Sequence, residues 1–345
     1  MQLDVYFRRA NGLWAWRGDY TAPAPLSVDN VNVTLWQNGL RVLSLQTCES
    51  LNFDTLLDTA LDITKLIQLG EGYGHIIDGV GWSASKDTEP IRTSFENLKK
   101  EKRVIDFYTT HKNFIRKEFE LVSAQNIISQ ANYSNWKSLY EKLTLQHHAF
   151  LYFTTDNGLP ISLRMANLIE LCEPLALYCS VEIRKDGVLK EQTSSQKGSS
   201  LKKCIKYLID KYGQVIFEQE TNHNILGCTC QNCKICQNRN GDKSILQRLV
   251  NTRVNTMHYK RNPEDSFIDW AEKGKTSEQC GGEMVIYCAK IHLLYRVTML
   301  ELSKIPVCPH KIKAVTNYIE TAMLPHFDFA DYISKYTASM GAGVN

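Results

Sequence analysis

Residues 243–261 read KSILQRLVNTRVNTMHYKR, and this motif stretch decides how the second half of the chain is interpreted. Its apolar residues, Leu246 and Leu249 among them, recur at helical spacing. Asp242 or Ser244 can cap the helix that they predict. The stretch holds five Lys or Arg residues and no acidic residue, whereas the whole chain carries a net charge of only +3. We therefore expect this helix to face a polyanion whose phosphates supply the missing counter-charge.

Arg253 and His258 are the residues of the motif stretch that suit RNA cleavage. His258 can take a proton from a 2′-hydroxyl group, or give one to the leaving oxygen, near neutral pH. Arg253 is always charged and can hold phosphate oxygens bidentately while charge develops on them. On an unbroken helix the two side chains would point about 140° apart. We therefore expect the helix to end between them, or a second subunit to complete the site.

The order of elements around this pair resembles the HEPN superfamily of helical ribonucleases, and within it the ApeA-like abortive-infection branch. The resemblance covers residues 160–305: a helix, a polar loop, a second helix, the motif and a long apolar helix. It implies a catalytic Arg-x4-6-His motif, completed where two protomers meet, and a metal-independent cut that leaves a 2′,3′-cyclic phosphate. By this likeness Arg253 and His258 are the catalytic candidates. Asn255 is their candidate helper, one place later than the polar residue that usually follows the Arg.

The resemblance also implies partners and a setting. It implies an endoribonuclease of phage defence or toxin-type growth arrest, a homodimer formed through the helical domain, and a phage-derived or nucleotide trigger at the N-terminal domain. The candidate RNA contacts are basic residues of the motif stretch and of the preceding helix: Arg248, Lys260, Arg261, Lys202 and Lys206. A stripe of lysines on a helix is also typical of a plain solvated face.

Two other functions stay open. Val254 stands directly after the Arg, where the family usually has a polar residue. This favours a non-catalytic adaptor that binds RNA or a nucleotide, or that scaffolds a defence complex. In the third interpretation the chain is a zinc-stabilised interaction protein, and its Arg-His pair is incidental.

Four of the eleven cysteines lie within Cys228-Thr-Cys230-Gln-Asn-Cys233-Lys-Ile-Cys236, which we call the cysteine knuckle. Four thiolates can complete a tetrahedral zinc site and leave no open coordination position, so the zinc that we predict here is structural. The last three cysteines also have the spacing of some iron–sulfur proteins, and redox-sensing or inert thiols are further interpretations. Other candidate ligands, should one of the four fail, are His223, Cys280 and Cys308.

The composition of the chain changes near Asn157-Gly158-Leu-Pro160, where both dipeptides break regular structure. We therefore divide it into two domains, for which 345 residues suffice. Residues 1–157 predict a mixed α/β, β-rich sensor or regulatory domain, which resembles the companion domain of ApeA-like proteins over Trp36–Gly70. Residues 158–345 predict an all-α bundle, HEPN-type by resemblance, with the knuckle at 228–236. The predicted fold class is α+β.

Local patterns in the first domain predict single elements. The apolar–polar alternation over 31–35 predicts a strand, and Asn38-Gly39 predicts the turn of a hairpin after it. Asp54 can cap a helix that Gly70 ends. The adjacent residues His147-His148 are expected at the surface.

In the second domain the same rules predict a series of helices. Ile161–Cys179 is apolar at helical spacing, and Pro174 should kink or shorten it. Ser199 or Ser200 caps the next helix. Residues 283–303 predict a buried helix, and a last helix begins at Pro309, which suits a first turn.

Several classes of protein are not indicated by the sequence. No run of about 18 apolar residues occurs, so no transmembrane helix is predicted. The N-terminus, MQLDVYFRRANGLW, lacks the basic-then-apolar pattern of a secretory signal. We therefore expect a cytoplasmic protein without a membrane partner. The seven cysteines outside the knuckle are then expected to be mostly small buried hydrophobes and not disulfides.

Overall fold

The chain folds into two compact units. One comprises Met1–Asn157 with Leu300–Pro306, and the other Gly158–Met299 with Val307–Asn345. The first combines a β-sheet with helices, and the described part of the second is helical, so the fold class is α+β. The computed structural model describes residues 1–7, 26–37, 41–47, 52–72, 77–83, 91–94, 117–154, 159–179, 197–227, 244–258, 266–267 and 277–341.

A six-stranded antiparallel sheet, in the order β2-β3-β4-β1-β5-β6, is the centre of the first unit. Its strands are β1 (Gln2–Phe7), β2 (Leu26–Val28), β3 (Val31–Gln37), β4 (Arg41–Gln46), β5 (Ile77–Ser83) and β6 (Ile91–Ser94). The strand predicted from residues 31–35 is confirmed, since its apolar side chains are buried and Asn32 is exposed. β3 and β4 pair with Gln37 opposite Arg41, which confirms the hairpin. Its turn, Asn38-Gly39, lies outside the described residues.

Helix α1 (Phe53–Glu71) packs on β1 and β4, and both of its ends differ from the prediction. Asn52, and not Asp54, is the N-cap, because its side-chain oxygen accepts a backbone N–H of the first turn at 2.8 Å. Gly72, and not Gly70, ends the helix in the left-handed region at φ +81°. Gly70 lies inside the helix, where a Cβ would come within 2.8 Å of a backbone oxygen. Each predicted end is two residues from the observed one, because the sequence rule identifies a capping residue type and not its exact position.

His147 contradicts the prediction that both adjacent histidines are exposed. A 3₁₀ turn (Lys117–Phe119) precedes α2 (Ala124–Ile127), α3 (Gln130–Lys142) and α4 (Thr144–Thr154), and His147 is fully buried on α4. Its ring lies 6.0 Å from that of Trp136 and 5.6 Å from that of Tyr140. Burial, together with the nearby Lys65 ammonium, lowers the pKa of His147 to about 3. Consecutive helical residues diverge in direction, so one of the pair can enter the core while His148 stays half-exposed.

The described part of the second unit consists of helices. They are α5 (Ile161–Glu170), α6 (Cys172–Cys179), α7 (Lys197–Leu208), which runs into a π-helical turn (Ile209–Gly213), α8 (Glu218–Asn222), α9 (Ile245–Met257), α10 (Ser277–Leu302), α11 (Pro309–Thr321) and α12 (Phe329–Gly341). α9 packs against α5 and α7, and α6 packs against α7. This packing places the motif helix against two earlier helices of the unit, α5 and α7.

The ends of these helices follow the sequence signals in part. α11 begins at Pro309, as predicted. The apolar helix of 161–179 is divided at Leu171, before Pro174, which occupies the first turn of α6, where a missing N–H costs little. α7 begins at Lys197, ahead of Ser199 and Ser200, so the prediction of a serine cap there is wrong. The segment after Pro309 forms two helices where the sequence predicted one.

The long helix α10 carries charge into the core of the second unit. Lys290 is fully buried, with its Nζ 2.6 Å from Glu220 Oε1 and 2.7 Å from Glu320 Oε1. The ring centroid of Phe329 lies 4.5 Å from the same Nζ. Burial raises the pKa of Glu320, and the Lys290 ammonium opposes that shift. A helix that reads as apolar in sequence therefore also holds an internal ion-pair cluster.

Candidate functional site

The motif helix α9 has a firmly defined beginning. Ser244 is the N-cap, since its hydroxyl oxygen accepts a backbone N–H of the first turn at 3.2 Å. The N–H groups of Ile245 and Leu246 donate to the carbonyls of Ile225 and Leu226, both at 3.0 Å. Gly227 has φ +108°, and a Cβ there would lie 2.5 Å from the Cβ of Ser244. The chain on both sides of 228–243 is therefore fastened together where α9 starts.

Arg253 lies in the second half of α9 and forms a two-point ion pair with Glu170, the last residue of α5. Its Nε donates to Glu170 Oε2, and its Nη2 donates to Glu170 Oε1 at 2.9 Å. The two side chains keep 26% and 39% of their surface exposed. The sequence placed Arg253 toward the apolar side of its helix, where a guanidinium needs a partner. Glu170 is that partner, and sequence reasoning missed it because 83 residues separate the two.

His258 is the C-cap of α9 and is exposed. Its backbone N–H donates to the carbonyl of Val254 at 3.0 Å. Regular helix ends at Met257, between Arg253 and His258, which is one of the two arrangements that their spacing allows. The imidazole is therefore attached at a helix end, where the 3.6-residue repeat no longer fixes its direction relative to Arg253.

Asn255, the third residue of the predicted catalytic set, is only 6% exposed. Its side chain belongs to the inner face of α9, whereas Arg253 is partly open to solvent and His258 is exposed. Asn255 is therefore not open to solvent in the way that Arg253 and His258 are. This buried position does not support the predicted role of Asn255 as a catalytic helper.

Arg248 was predicted to contact RNA, and the structure places it in the core of the helical unit. Its Nη2 donates to Glu283 Oε2 at 2.9 Å, and its Nη1 donates to the Tyr332 hydroxyl at 3.1 Å. The guanidinium lies 4.3 Å from the ring centroid of Phe267. A buried cation that is neutralised by a buried carboxylate has no charge left for a phosphate. Arg248 is accordingly a core residue and not a surface contact for RNA.

The other predicted RNA contacts are distributed unevenly. On α7, Lys202 is half-exposed, and its Nζ lies 3.4 Å from Gln247 Oε1 on α9, so this lysine borders the motif helix. Lys206, one turn later, forms an ion pair with Asp210. Lys260 and Arg261 lie outside the described residues, as do the predicted zinc ligands Cys228, Cys230, Cys233 and Cys236.

Comparisons of the chain with protein-family models, with curated proteins and with solved structures give no match. Among the residues that the structure describes, no helix is long and apolar enough to cross a membrane. The same residues contain no group of three or more His, Cys, Asp or Glu side chains arranged to hold a metal ion. Of the predicted site residues, Arg253 and His258 combine proximity in the chain with access to solvent.

Proposed function

We propose that this protein is a metal-independent endoribonuclease of the HEPN type, with Arg253 and His258 as its catalytic residues. The observation that carries the proposal is the end of α9. There a partly exposed guanidinium, held by Glu170, is followed after the last helical residue by an exposed imidazole. A guanidinium, which can hold phosphate oxygens bidentately, and an imidazole, which can take up or release a proton, are the two side-chain types that this chemistry needs.

In the proposed reaction the 2′-oxygen of a ribose attacks the adjacent phosphorus. The O2′–P bond forms, the P–O5′ bond breaks, and the products are a 2′,3′-cyclic phosphate and a free 5′-hydroxyl. Arg253 binds the phosphate oxygens as their negative charge grows. His258 removes the 2′-proton or protonates the leaving oxygen. In a homodimer, His258 of the partner subunit supplies the other proton transfer.

The test is cleavage of single-stranded RNA by the purified full chain in EDTA. We expect cutting to persist in the chelator, to leave cyclic-phosphate ends, and to be lost in both Arg253→Ala and His258→Ala. Lys313→Ala is the matched control, because Lys313 forms a comparably exposed ion pair with Glu218 on other helices of the unit. Unchanged cutting by either motif variant would exclude the assignment and indicate a contaminating nuclease.

A non-catalytic RNA-binding adaptor is the second candidate, and two observations favour it. Val254 occupies the position after the Arg, and the Arg253 charge is already matched by Glu170. A gel shift of RNA that is never cut, weakened in Arg253→Ala, would support this alternative. Cyclic-phosphate products would argue against it.

The proposal includes a dimer and a structural zinc. Sedimentation equilibrium should give twice the mass of 39.5 kDa, because the site needs groups from two chains. Metal analysis should give one zinc for each chain, lost in Cys233→Ser, because three thiolates hold zinc less well than four. A monomer without zinc or RNA affinity would contradict the dimer, the zinc and the RNA-cleaving activity alike.

The setting of the proposed activity is phage defence or toxin-type growth arrest, with the first unit as its sensor or regulator. The test is growth of bacteria after induction of the chain, alone and during phage infection. In at least one of these two conditions we expect growth to stop with the wild type and to continue with His258→Ala. Equal growth of the two strains under both conditions would exclude this setting.

A further inference from the structure

The ion pair with Glu170 uses one edge of the Arg253 guanidinium. Among the described residues, no hydrogen-bond acceptor occupies the other edge, which we call the free edge. Glu170 accepts hydrogen bonds from Nε and Nη2, which form one side of the planar fork. Of the five N–H donors of a guanidinium, those of Nη1 and the second of Nη2 point to the other side. Within the described residues Nη1 has no hydrogen-bond partner. That free edge has the geometry for a second two-point contact, and a phosphate fits it.

Glu170 fixes the direction in which the free edge points. A partly exposed arginine on its own samples many rotamers, and binding must then order it at an entropic cost. Glu170 is the last residue of α5, and α5 packs directly against α9. The carboxylate is therefore attached to the element beside the motif helix, and its two oxygens orient the plane of the guanidinium.

The same carboxylate weakens the attraction of the site for RNA. Arg253 and Glu170 together carry no net charge, and a phosphate that reaches the free edge also meets the negative charge of Glu170. The C-terminal end of α5 adds partial negative charge at this point. Glu170 should therefore oppose binding of the ground state and favour the reaction by orientation. The carboxylate should thus raise both KM and kcat, and the two effects can be measured separately.

We infer that Glu170 is a positioning residue of the RNA-cleaving site, which presents the free edge of Arg253 to the phosphate that is cut. The inference rests on the proposed endoribonuclease activity. It assigns a role to an acidic residue that lies outside the motif stretch and does not itself touch the reacting atoms.

The experiment is steady-state cleavage of a labelled single-stranded RNA oligonucleotide by the full chain. Glu170→Gln keeps the size of the side chain and removes the charge; we expect kcat to fall about tenfold because the guanidinium loses its orientation. KM should fall about threefold, because the repulsion between carboxylate and phosphate is gone. Glu170→Asp keeps the charge, so its KM should equal that of the wild type, with kcat above that of Glu170→Gln. Glu218→Gln, which removes the comparably exposed acid paired with Lys313, should leave both constants unchanged.

Binding is followed in parallel with the same oligonucleotide carrying 2′-O-methyl groups, which cannot be cut by attack of a 2′-oxygen. Tighter binding by Glu170→Gln with slower cleavage supports the inference. If Glu170→Gln raises kcat, Glu170 is a competitor of the phosphate; if it matches Glu218→Gln, the pair is incidental. Both results overturn the inference while the wild type still cuts RNA. Absence of cutting by the wild type overturns the proposed function as well, so the two failures are distinguishable.

Discussion

Arg248 and Arg253 lie five residues apart on the same helix, and their surroundings differ in almost every respect. Arg248 is buried, and it is held by a carboxylate, a phenol hydroxyl and an aromatic ring. Arg253 is partly exposed and has Glu170 as its acidic partner. In sequence both are arginines of one basic stretch. The comparison shows that one helix can place one of its two cations in the core and leave the other partly open to solvent.

The comparison is tested most strongly by Arg248→Met, which keeps the length of the side chain and removes its charge. The free energy of unfolding should fall by about 3–5 kcal/mol, because Glu283 is left as an unpaired buried charge. Urea unfolding followed by circular dichroism measures it. Arg253→Met should lose less than about 1 kcal/mol, since partly exposed ion pairs contribute little. Equal losses of unfolding free energy in the two variants would show that the two arginines contribute alike to stability.

Activity should show the reverse order. Arg253→Ala should slow RNA cleavage by about 10²–10³-fold, the typical effect of removing a group that binds the developing charge. Single-turnover cleavage measures this rate. Arg248→Met, assayed at a temperature where it is folded, should retain cleavage within about threefold of the wild type, because its guanidinium does not reach the surface. A large loss of activity in folded Arg248→Met would mean that the core pair also shapes the site.

The buried His147 extends the contrast between buried and exposed ionisable groups. His147 has its pKa lowered to about 3 by burial, whereas the unfolded chain takes up that proton near pH 6.5. The stability due to the neutral ring is therefore complete above pH 6.5 and is lost as the pH falls from there toward 3. Between pH 7 and 5 the wild type should lose about 2 kcal/mol that His147→Phe does not lose. An equal change in the free energy of unfolding between pH 7 and pH 5 for the two proteins would contradict the lowered pKa of His147.

The smallest effect concerns the two ends of α9. Ser244 closes the first turn with a side-chain hydrogen bond, whereas His258 closes the last turn through its backbone. Ser244→Ala should cost about 1 kcal/mol of unfolding free energy, and His258→Ala less than about 0.5 kcal/mol. Thermal unfolding monitored by calorimetry resolves this difference. A more costly change at His258 would assign that residue a structural role.

Short-range sequence patterns correctly predicted those parts of the fold that depend on neighbouring residues. The alternation over 31–35 gave the strand β3, Ser244 was one of two candidate caps of α9, and Pro309 marked the start of α11. Each of these depends on residues within one or two turns of each other. For the end of α1 the pattern selected Gly70, and this was wrong, because Gly72 two residues later ends the helix.

The partners of the two arginines were beyond the reach of such patterns. Glu170 precedes Arg253 by 83 positions, and Glu283 follows Arg248 by 35. Tyr332, the other partner of Arg248, belongs to a helix that was not predicted at all. Which cation is buried and which is left open depends on where helices far apart in the chain pack. The basic stretch could be recognised from sequence, but its division into a half with a buried arginine and a half with a partly exposed one could not.

The close approach of Gly227 to Ser244 has a consequence for engineering. Because the chain is fastened on both sides of 228–243, material added between these points begins and ends at the same place. Loop closure becomes costlier by only about 0.6 kcal/mol for each doubling of length. An experimenter can therefore insert a reporter peptide between residues 237 and 243, outside the four cysteines, without rotating α9 or displacing Arg253.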